Sequence, residues 1–210
     1  MSLVGKKFPN VTVDAISKSG ENQRINILDE AVNKQTKVLL FWYPKDFTFV
    51  CPTELHAFQA ALEEFKNRNT MVIGASCDTN EVHFAWLSTP KNMGGIEGVT
   101  YPLLADTHRQ LANILGIVDQ DFEYDEEGNE TFSGSNVTYR ATYLIDEEGK
   151  VFHESVNDMP LGRNVAEYLR LIDAYTHVQK YGEVCPANWQ EGKAAMNANR
   201  TATAEYLSQN

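Results

Sequence analysis

The apolar positions of this chain fall into short unbroken runs that alternate with stretches of helical spacing. Val38-Leu39-Leu40-Phe41-Trp42 is bounded by polar residues and predicts a strand buried on both faces. Met71-Val72-Ile73-Gly74-Ala75-Ser76 predicts a second, with Cys77 at its end. Between them, Leu55, Phe58, Leu62 and Phe65 share one face of a helix. Upstream, residues 8 to 31 carry scattered strand signals compatible with an N-terminal hairpin turning at Ser19-Gly20-Glu21-Asn22. Downstream, a short helix is expected from Asn80 to Leu87, stopped by Ser88-Thr89-Pro90, followed by a flexible Gly94-Gly95-Ile96-Glu97-Gly98 loop. Tyr101 to Ala105 returns toward the core, and Asp106 or Thr107 caps a helix that runs to Leu115 and is closed by Gly116. Strands are expected over 138–145 and 150–156, joined as a hairpin by Asp146-Glu147-Glu148-Gly149. Val165, Tyr168, Leu169, Ile172 and Tyr175 then mark an amphipathic helix ending near Gly182. Strands alternating with helices imply an α/β domain with a mostly parallel sheet over residues 1–182. Residues 183–210 are rich in Pro, Asn and Ala, and read as an extended arm with a short terminal helix.

One segment breaks the alternation. Asp119 to Ser135 is acidic and punctuated by Gly, which predicts a solvated loop or extended hairpin. The ligand spacing of an EF-hand is absent from it. Over the whole chain of 210 residues the formal net charge is -11, which disfavours nucleic-acid and acidic-membrane partners. No apolar run reaches membrane-spanning length, and the N-terminus lacks the apolar core of a signal peptide, so a cytoplasmic location is expected. Three cysteines, an odd number, do not suggest a structural disulfide framework.

The candidate chemistry sits where the first buried strand gives way to the first helix. Cys51 lies in Phe49-Val50-Cys51-Pro52-Thr53-Glu54, and Pro52 suits a first helical turn, where its missing N–H is not needed. A cysteine there faces unpartnered backbone N–H groups and the positive end of the helix dipole, both of which favour the nucleophilic thiolate. A buried, inert cysteine is the alternative, against which stand the flanking prolines and the polar Thr48 and Glu54. Val50-Cys51-Pro52 recurs as Val184-Cys185-Pro186 in the arm, which places a second, mobile and accessible thiol there. Cys77 ends a core strand without those flanks and reads as a small buried hydrophobe. The five histidines show no metal-ligand pairing with the cysteines, so zinc is rejected and no cofactor is expected. A dithiol oxidoreductase of thioredoxin type would need Cys-x-x-Cys, which is absent. Read alone, Arg140 fits an ordinary arginine on a polar strand face, and Glu54 a favourable carboxylate in a helix first turn.

Several of these motifs carry a family resemblance. Pro44-Lys45-Asp46-Phe47-Thr48-Phe49-Val50-Cys51 resembles the Pro-x-x-x-Thr-x-x-Cys signature of peroxiredoxins. Gly182-Glu183-Val184-Cys185-Pro186-Ala187-Asn188-Trp189 resembles the second-cysteine motif of the typical 2-Cys subfamily, and over nearly its whole length the chain resembles bacterial alkyl hydroperoxide reductase C subunits. The resemblance implies a thioredoxin-like fold with a central mixed sheet flanked by helices. It implies a thiol-dependent peroxidase for hydrogen peroxide and organic hydroperoxides, working as a homodimer that often forms a ring of five dimers. Cys51 would attack the peroxide. Pro44, Thr48 and Arg140 would shape the substrate site, Glu54 would orient the arginines, and Arg163 would be the second of them. The Cys51 sulfenic acid would be resolved by Cys185 of the other subunit, then reduced by thioredoxin, a flavoprotein reductase or another dithiol carrier. A redox-regulated holdase chaperone in the ring-assembled state is the rival function. The chain departs from the family in the length of the acidic stretch. It also has Gly94-Gly95-Ile96-Glu97-Gly98 where sensitive members have Gly-Gly-Leu-Gly, and Tyr206-Leu207 for their Tyr-Phe.

Overall fold

The computed structural model describes residues 2–209. The chain divides into two compact units, Met1–Arg163 and Asn164–Asn210.

The first unit opens with the expected hairpin, β1 (Thr12–Ile16) against β2 (Asn22–Asn26), antiparallel in register Val13↔Ile25. Residues 27–31, the end of the region read above for strand signals, instead belong to helix α1 (Ile27–Lys34). Asn26 caps it, accepting from the Leu28 and Asp29 amides. The helix bears Asp29 and Glu30 in its first turn and ends on Gln35 in the left-handed region. Then follow β3 (Lys37–Trp42), α2 (Cys51–Ala60), α3 (Leu62–Asn67) and β4 (Thr70–Ser76). The single helix expected from Leu55 to Phe65 is thus broken at Ala61, although Leu55, Phe58, Leu62 and Phe65 are all buried as the spacing requires. Helix α4 (Asn80–Leu87), capped by Thr79, leads to β5 (Leu103–Ala105) and α5 (Gln110–Leu115). Neither Asp106 nor Thr107 is the N-cap of α5. Arg109, at φ 53°, holds that position, while the Asp106 carboxylate accepts from the Ala112 amide in the first turn. The acidic stretch is the extended hairpin, β6 (Asp121–Tyr124) with β7 (Glu130–Ser133), exposed throughout. β8 (Arg140–Ile145) and β9 (Val151–Asn157) close the unit, and the Asp146 carboxylate holds their turn by accepting from the Glu148 and Lys150 amides.

Seven strands form one sheet in the order β2-β1-β5-β4-β3-β8-β9. Only β3–β4 and β4–β5 pair in parallel, so the sheet is mixed rather than mostly parallel. Every residue of β3 is buried, because successive side chains enter two different cores. On one face Val38, Leu40 and Trp42 join Ile27 and Ala31 of α1 and Leu111 and Ala112 of α5. On the other, Phe41 stacks on Phe58 of α2 at 4.1 Å between ring centroids and meets the Tyr101 edge at 5.8 Å. This two-sided packing fixes the C-terminal end of β3, and with it the loop that delivers Cys51.

The second unit contains α6 (Val165–Tyr181), the segment after it, and α7 (Arg200–Gln209). Asn164 caps α6 and Gly182, at φ 68°, ends it in the left-handed conformation that glycine adopts without penalty. The following segment is tied back on itself, Val184 and Met196 exchanging backbone hydrogen bonds at 2.8 and 3.2 Å. No side chain of α7 is buried among the described residues.

Candidate active site

Cys51 is the first residue of α2 and is completely buried. The sequence argued against burial in an apolar wall, and the wall it meets is charged. Nη1 of Arg140 donates to Cys51 Sγ at 3.4 Å and to Glu54 Oε2 at 2.7 Å. Arg140 begins β8, separated from the loop in sequence by the four strands β4 to β7 but adjacent to β3 in the sheet. Its Nε donates to the Met159 carbonyl at 2.6 Å, which fixes the plane of the guanidinium. Glu54 lies one helical turn after Cys51, on the same side of α2.

Arg163 completes the unit. Its backbone N–H and Nε both donate to Glu54 Oε1 at 2.9 Å, and Nη2 donates to Oε2 at 2.8 Å. Nη1 reaches the carbonyls of Trp42 and Ala141 and the hydroxyl of Thr142. Its guanidinium lies over the Phe41 ring at 5.0 Å from the centroid, so stacking adds to the polar contacts. Arg140 and Glu54 are each 3 % exposed, which removes the reading of Arg140 as a surface arginine. Buried charges of this kind persist only when paired and hydrogen-bonded. Two arginines share one carboxylate here, so the unit carries one net positive charge beside the sulfur. The sulfur accepts from this cation and sits in the first turn of α2, where the backbone N–H groups lack intrahelical partners.

Thr48 and Pro44 lie in the loop between β3 and α2. The Thr48 hydroxyl donates to the Lys45 carbonyl at 2.8 Å, so it is held within the loop rather than against the sulfur. Pro44 is buried. The loop is anchored from behind by a buried cluster that sequence reasoning missed. His83 Nδ1 and Asp46 Oδ2 are 2.7 Å apart, and the Tyr43 hydroxyl donates to Asp46 Oδ1 at 2.9 Å. The Asp46 amide donates to Asp78. Burial, more than any neighbour, pushes the Asp46 carboxyl above its ordinary range. The lone apolar-flanked His83 on a short helix gave no signal of this pairing.

The other two thiols differ from Cys51. Cys77 is half-buried, and desolvation pushes its thiol up to about 12, in keeping with an inert core cysteine. Cys185 is half-buried rather than fully accessible, and Sγ lies 3.6 Å from the Ala174 carbonyl of α6. No group of three or more His, Cys, Asp or Glu that could hold a metal occurs among the described residues. None of the described helices is long and apolar enough to cross a membrane.

A thioredoxin-like mixed sheet whose strand-to-helix turn presents an arginine-bound thiol defines a thiol-dependent peroxidase. Residues 4–154 match the model of the AhpC/TSA family, and residues 174–209 match that of the C-terminal domain of 1-Cys peroxiredoxin. Alkyl hydroperoxide reductase C of Helicobacter pylori is 40% identical over 208 residues, covering 99% of this chain and 98% of that protein. Peroxiredoxin-1 of Gekko japonicus is 40% identical over 207 residues, with 99% and 96% covered. The reduced 2-Cys peroxiredoxin of Plasmodium vivax superposes with a TM-score of 0.87 at 38% identity, over 99% of this chain and all of that one. The chain therefore belongs to the AhpC/TSA family and is a peroxiredoxin.

Proposed function

We propose that Cys51 is the peroxide-attacking thiol, and that Arg140, Thr48 and Pro44 form its substrate site with Glu54 and Arg163 as the frame. The observation that carries this reading is the Arg140 Nη1 contact to Cys51 Sγ at 3.4 Å, made by a guanidinium already fixed by Glu54 and Met159. The Cys51 thiolate attacks one peroxide oxygen. An S–O bond forms, the O–O bond breaks, and the leaving oxygen departs as hydroxide or alkoxide and takes up a proton. Negative charge moves from sulfur toward that oxygen, so donors fixed before the reaction stabilise the transition state without reorganising. Arg140 is one such donor. The Thr48 hydroxyl, three residues before Cys51, is the second once a peroxide oxygen competes for its proton with its own loop. Pro44 shields the sulfur from water and from further oxidation.

The product, a Cys51 sulfenic acid, condenses with the Cys185 thiol of the other subunit of a homodimer, releasing water and forming a disulfide. Disulfide geometry requires the two Cα atoms to approach within about 7 Å. A completely buried Cys51 at the start of α2 meets that requirement only when the first turn unwinds. Thioredoxin, a flavoprotein reductase or another dithiol carrier then returns both thiols by exchange. Residues 183–210 act as the arm that carries Cys185, the dimers assemble as a ring of five, and the enzyme works in the cytoplasm on hydrogen peroxide and organic hydroperoxides.

Non-reducing gels and a peroxide-consumption assay test the assignment together. Cys51→Ser abolishes peroxide reduction. Cys185→Ser keeps the first oxidation but loses both turnover and the peroxide-dependent dimer band. A band that survives Cys185→Ser rules out Cys185 as the resolving thiol.

A further inference from the structure

Cys185 is held on both flanks by contacts that converge on one side chain, His177, near the C-terminal end of α6. His177 Nε2 lies 2.9 Å from Glu183 Oε2, two residues before the cysteine. Its ring packs 5.0 Å from that of Trp189, four residues after the cysteine, and 4.7 Å from Tyr181. Trp189 is itself fixed, at 3 % exposure. Its Nε1 donates to the Lys193 carbonyl and its own carbonyl accepts from Arg170 Nη1, both at 3.1 Å. Between these anchors the Cys185 thiol is pushed above its ordinary range by burial first, with the Arg170 charge opposing and the Glu183 charge reinforcing.

We propose that His177 is a positioning residue that latches the Cys185 segment, and that its protonation sets how readily the segment releases the thiol. The proposal rests on Cys185 as the resolving thiol. Histidine is the side chain that changes charge between pH 5 and 8. As a cation, His177 makes a charge-assisted bond to Glu183 and sits favourably at the negative end of the α6 dipole. As neutral imidazole it keeps only an ordinary hydrogen bond. The other ionisable groups facing it line the same cleft of about 510 Å³: Asp173, Lys180 and Tyr181 on α6, and Glu191 and Lys193 beyond Trp189. Two carboxylates and two ammonium groups among these largely offset one another, whereas Glu183 is in direct contact. The latch therefore tightens as pH falls. Since the sulfenic acid is shared between the resolving thiol and a second peroxide, a tighter latch slows disulfide formation and lengthens the exposure of Cys51 to a second oxidation.

The test uses the full-length, pre-reduced enzyme mixed with one equivalent of hydrogen peroxide from pH 5.5 to 8. Disulfide formation is followed by rapid acid quench and mass spectrometry. His177→Phe keeps an aromatic ring against Trp189 and removes the pair. Glu183→Gln removes the charge and keeps an acceptor. Glu183→Gln also removes a charge that holds the Cys185 thiol up, whereas His177→Phe leaves that charge in place, so it is the change of the variant-to-wild-type ratio with pH, not its size, that reads the latch. Both variants are expected to form the disulfide up to about five-fold faster than wild type at pH 5.5, the range of a partly exposed ion pair, with the ratio falling toward one by pH 8. A ratio that does not change with pH in either variant overturns the latch. Cys185→Ser, run in parallel, separates the two readings. Persistence of the disulfide there overturns the resolving assignment, whereas its loss alongside a flat ratio overturns the latch alone.

Discussion

Arg140 and Glu54 are paired at 2.7 Å in a wall where neither side chain exposes more than 4 % of its surface. The same carboxylate also binds Arg163 at 2.8 Å, so a single residue of α2 holds guanidinium groups from β8 and from the end of the first unit.

Removing Glu54 therefore leaves two buried cations uncompensated. Breaking a buried pair by deleting one partner costs about 3–5 kcal/mol. Glu54→Ala is expected to lower unfolding stability by about that amount in urea titrations. It also slows peroxide attack, because Arg140 loses its fixed orientation.

Arg140→Met removes the donor to Cys51 Sγ while keeping a side chain of comparable length. Loss of one such preorganised donor typically costs 10²–10³ in rate, so the second-order rate constant with hydrogen peroxide is expected to fall by about 100-fold or more. Stopped-flow kinetics measure it. An unchanged rate returns Arg140 to a structural role.

Cys77 supplies the contrast. A thiol pushed up to about 12 is almost wholly protonated at neutral pH, and the thiolate is the reactive form. Iodoacetamide at pH 7 is expected to label Cys77 far more slowly than Cys185, and Cys77→Ser to leave peroxidase turnover intact. Peptide mass mapping after timed alkylation checks the first expectation.

The C-terminal helix bears on overoxidation. α7 has no buried side chain among the described residues, and Leu207 is 69% exposed where the family's sensitive members carry an aromatic. Glu97 also interrupts the Gly-rich motif of residues 94–98. Wild type is expected to resist hyperoxidation, with little Cys51 sulfinic acid per turnover across a peroxide series by mass spectrometry. Leu207→Phe restores apolar contact area and shifts the enzyme toward sensitivity. Ready sulfinic acid formation at low peroxide in wild type would refute this account of the tail.

The strand-to-helix placement of Cys51 was legible because a run such as Val38 to Trp42 has few alternatives to a doubly covered strand, and Pro52 marks the helix start. The α6 boundary was legible from Gly182 for the same local reason. What the sequence concealed depends on tertiary contact. Helix α1 was absorbed into a strand region although Asn26, Asp29 and Glu30 spell out a capped first turn. The sheet's antiparallel pairings follow from chain reversals that βα alternation does not reveal. The burial of Arg140 became visible only when β8 was laid beside β3, since one arginine in a β-branched stretch looks the same whether it faces water or a carboxylate. The pairing of Asp46 with His83 joins residues 37 apart and leaves no periodic trace.

The arginine–glutamate–arginine unit has an electrical consequence for the order of events. With Cys51 as a thiolate, two cations face two anions and the buried site is neutral. Oxidation converts the sulfur to an uncharged sulfenic acid, and the same wall is left with one surplus positive charge out of contact with bulk water. An uncompensated buried charge is costly, and water can reach it only if the start of α2 opens. On the proposed role of Cys51, the reaction with peroxide would thus remove the anion that balances the buried cations and would favour opening of the turn that confines its product. The chemical step would then act as its own timer, loosening Cys51 only after it has something to hand over.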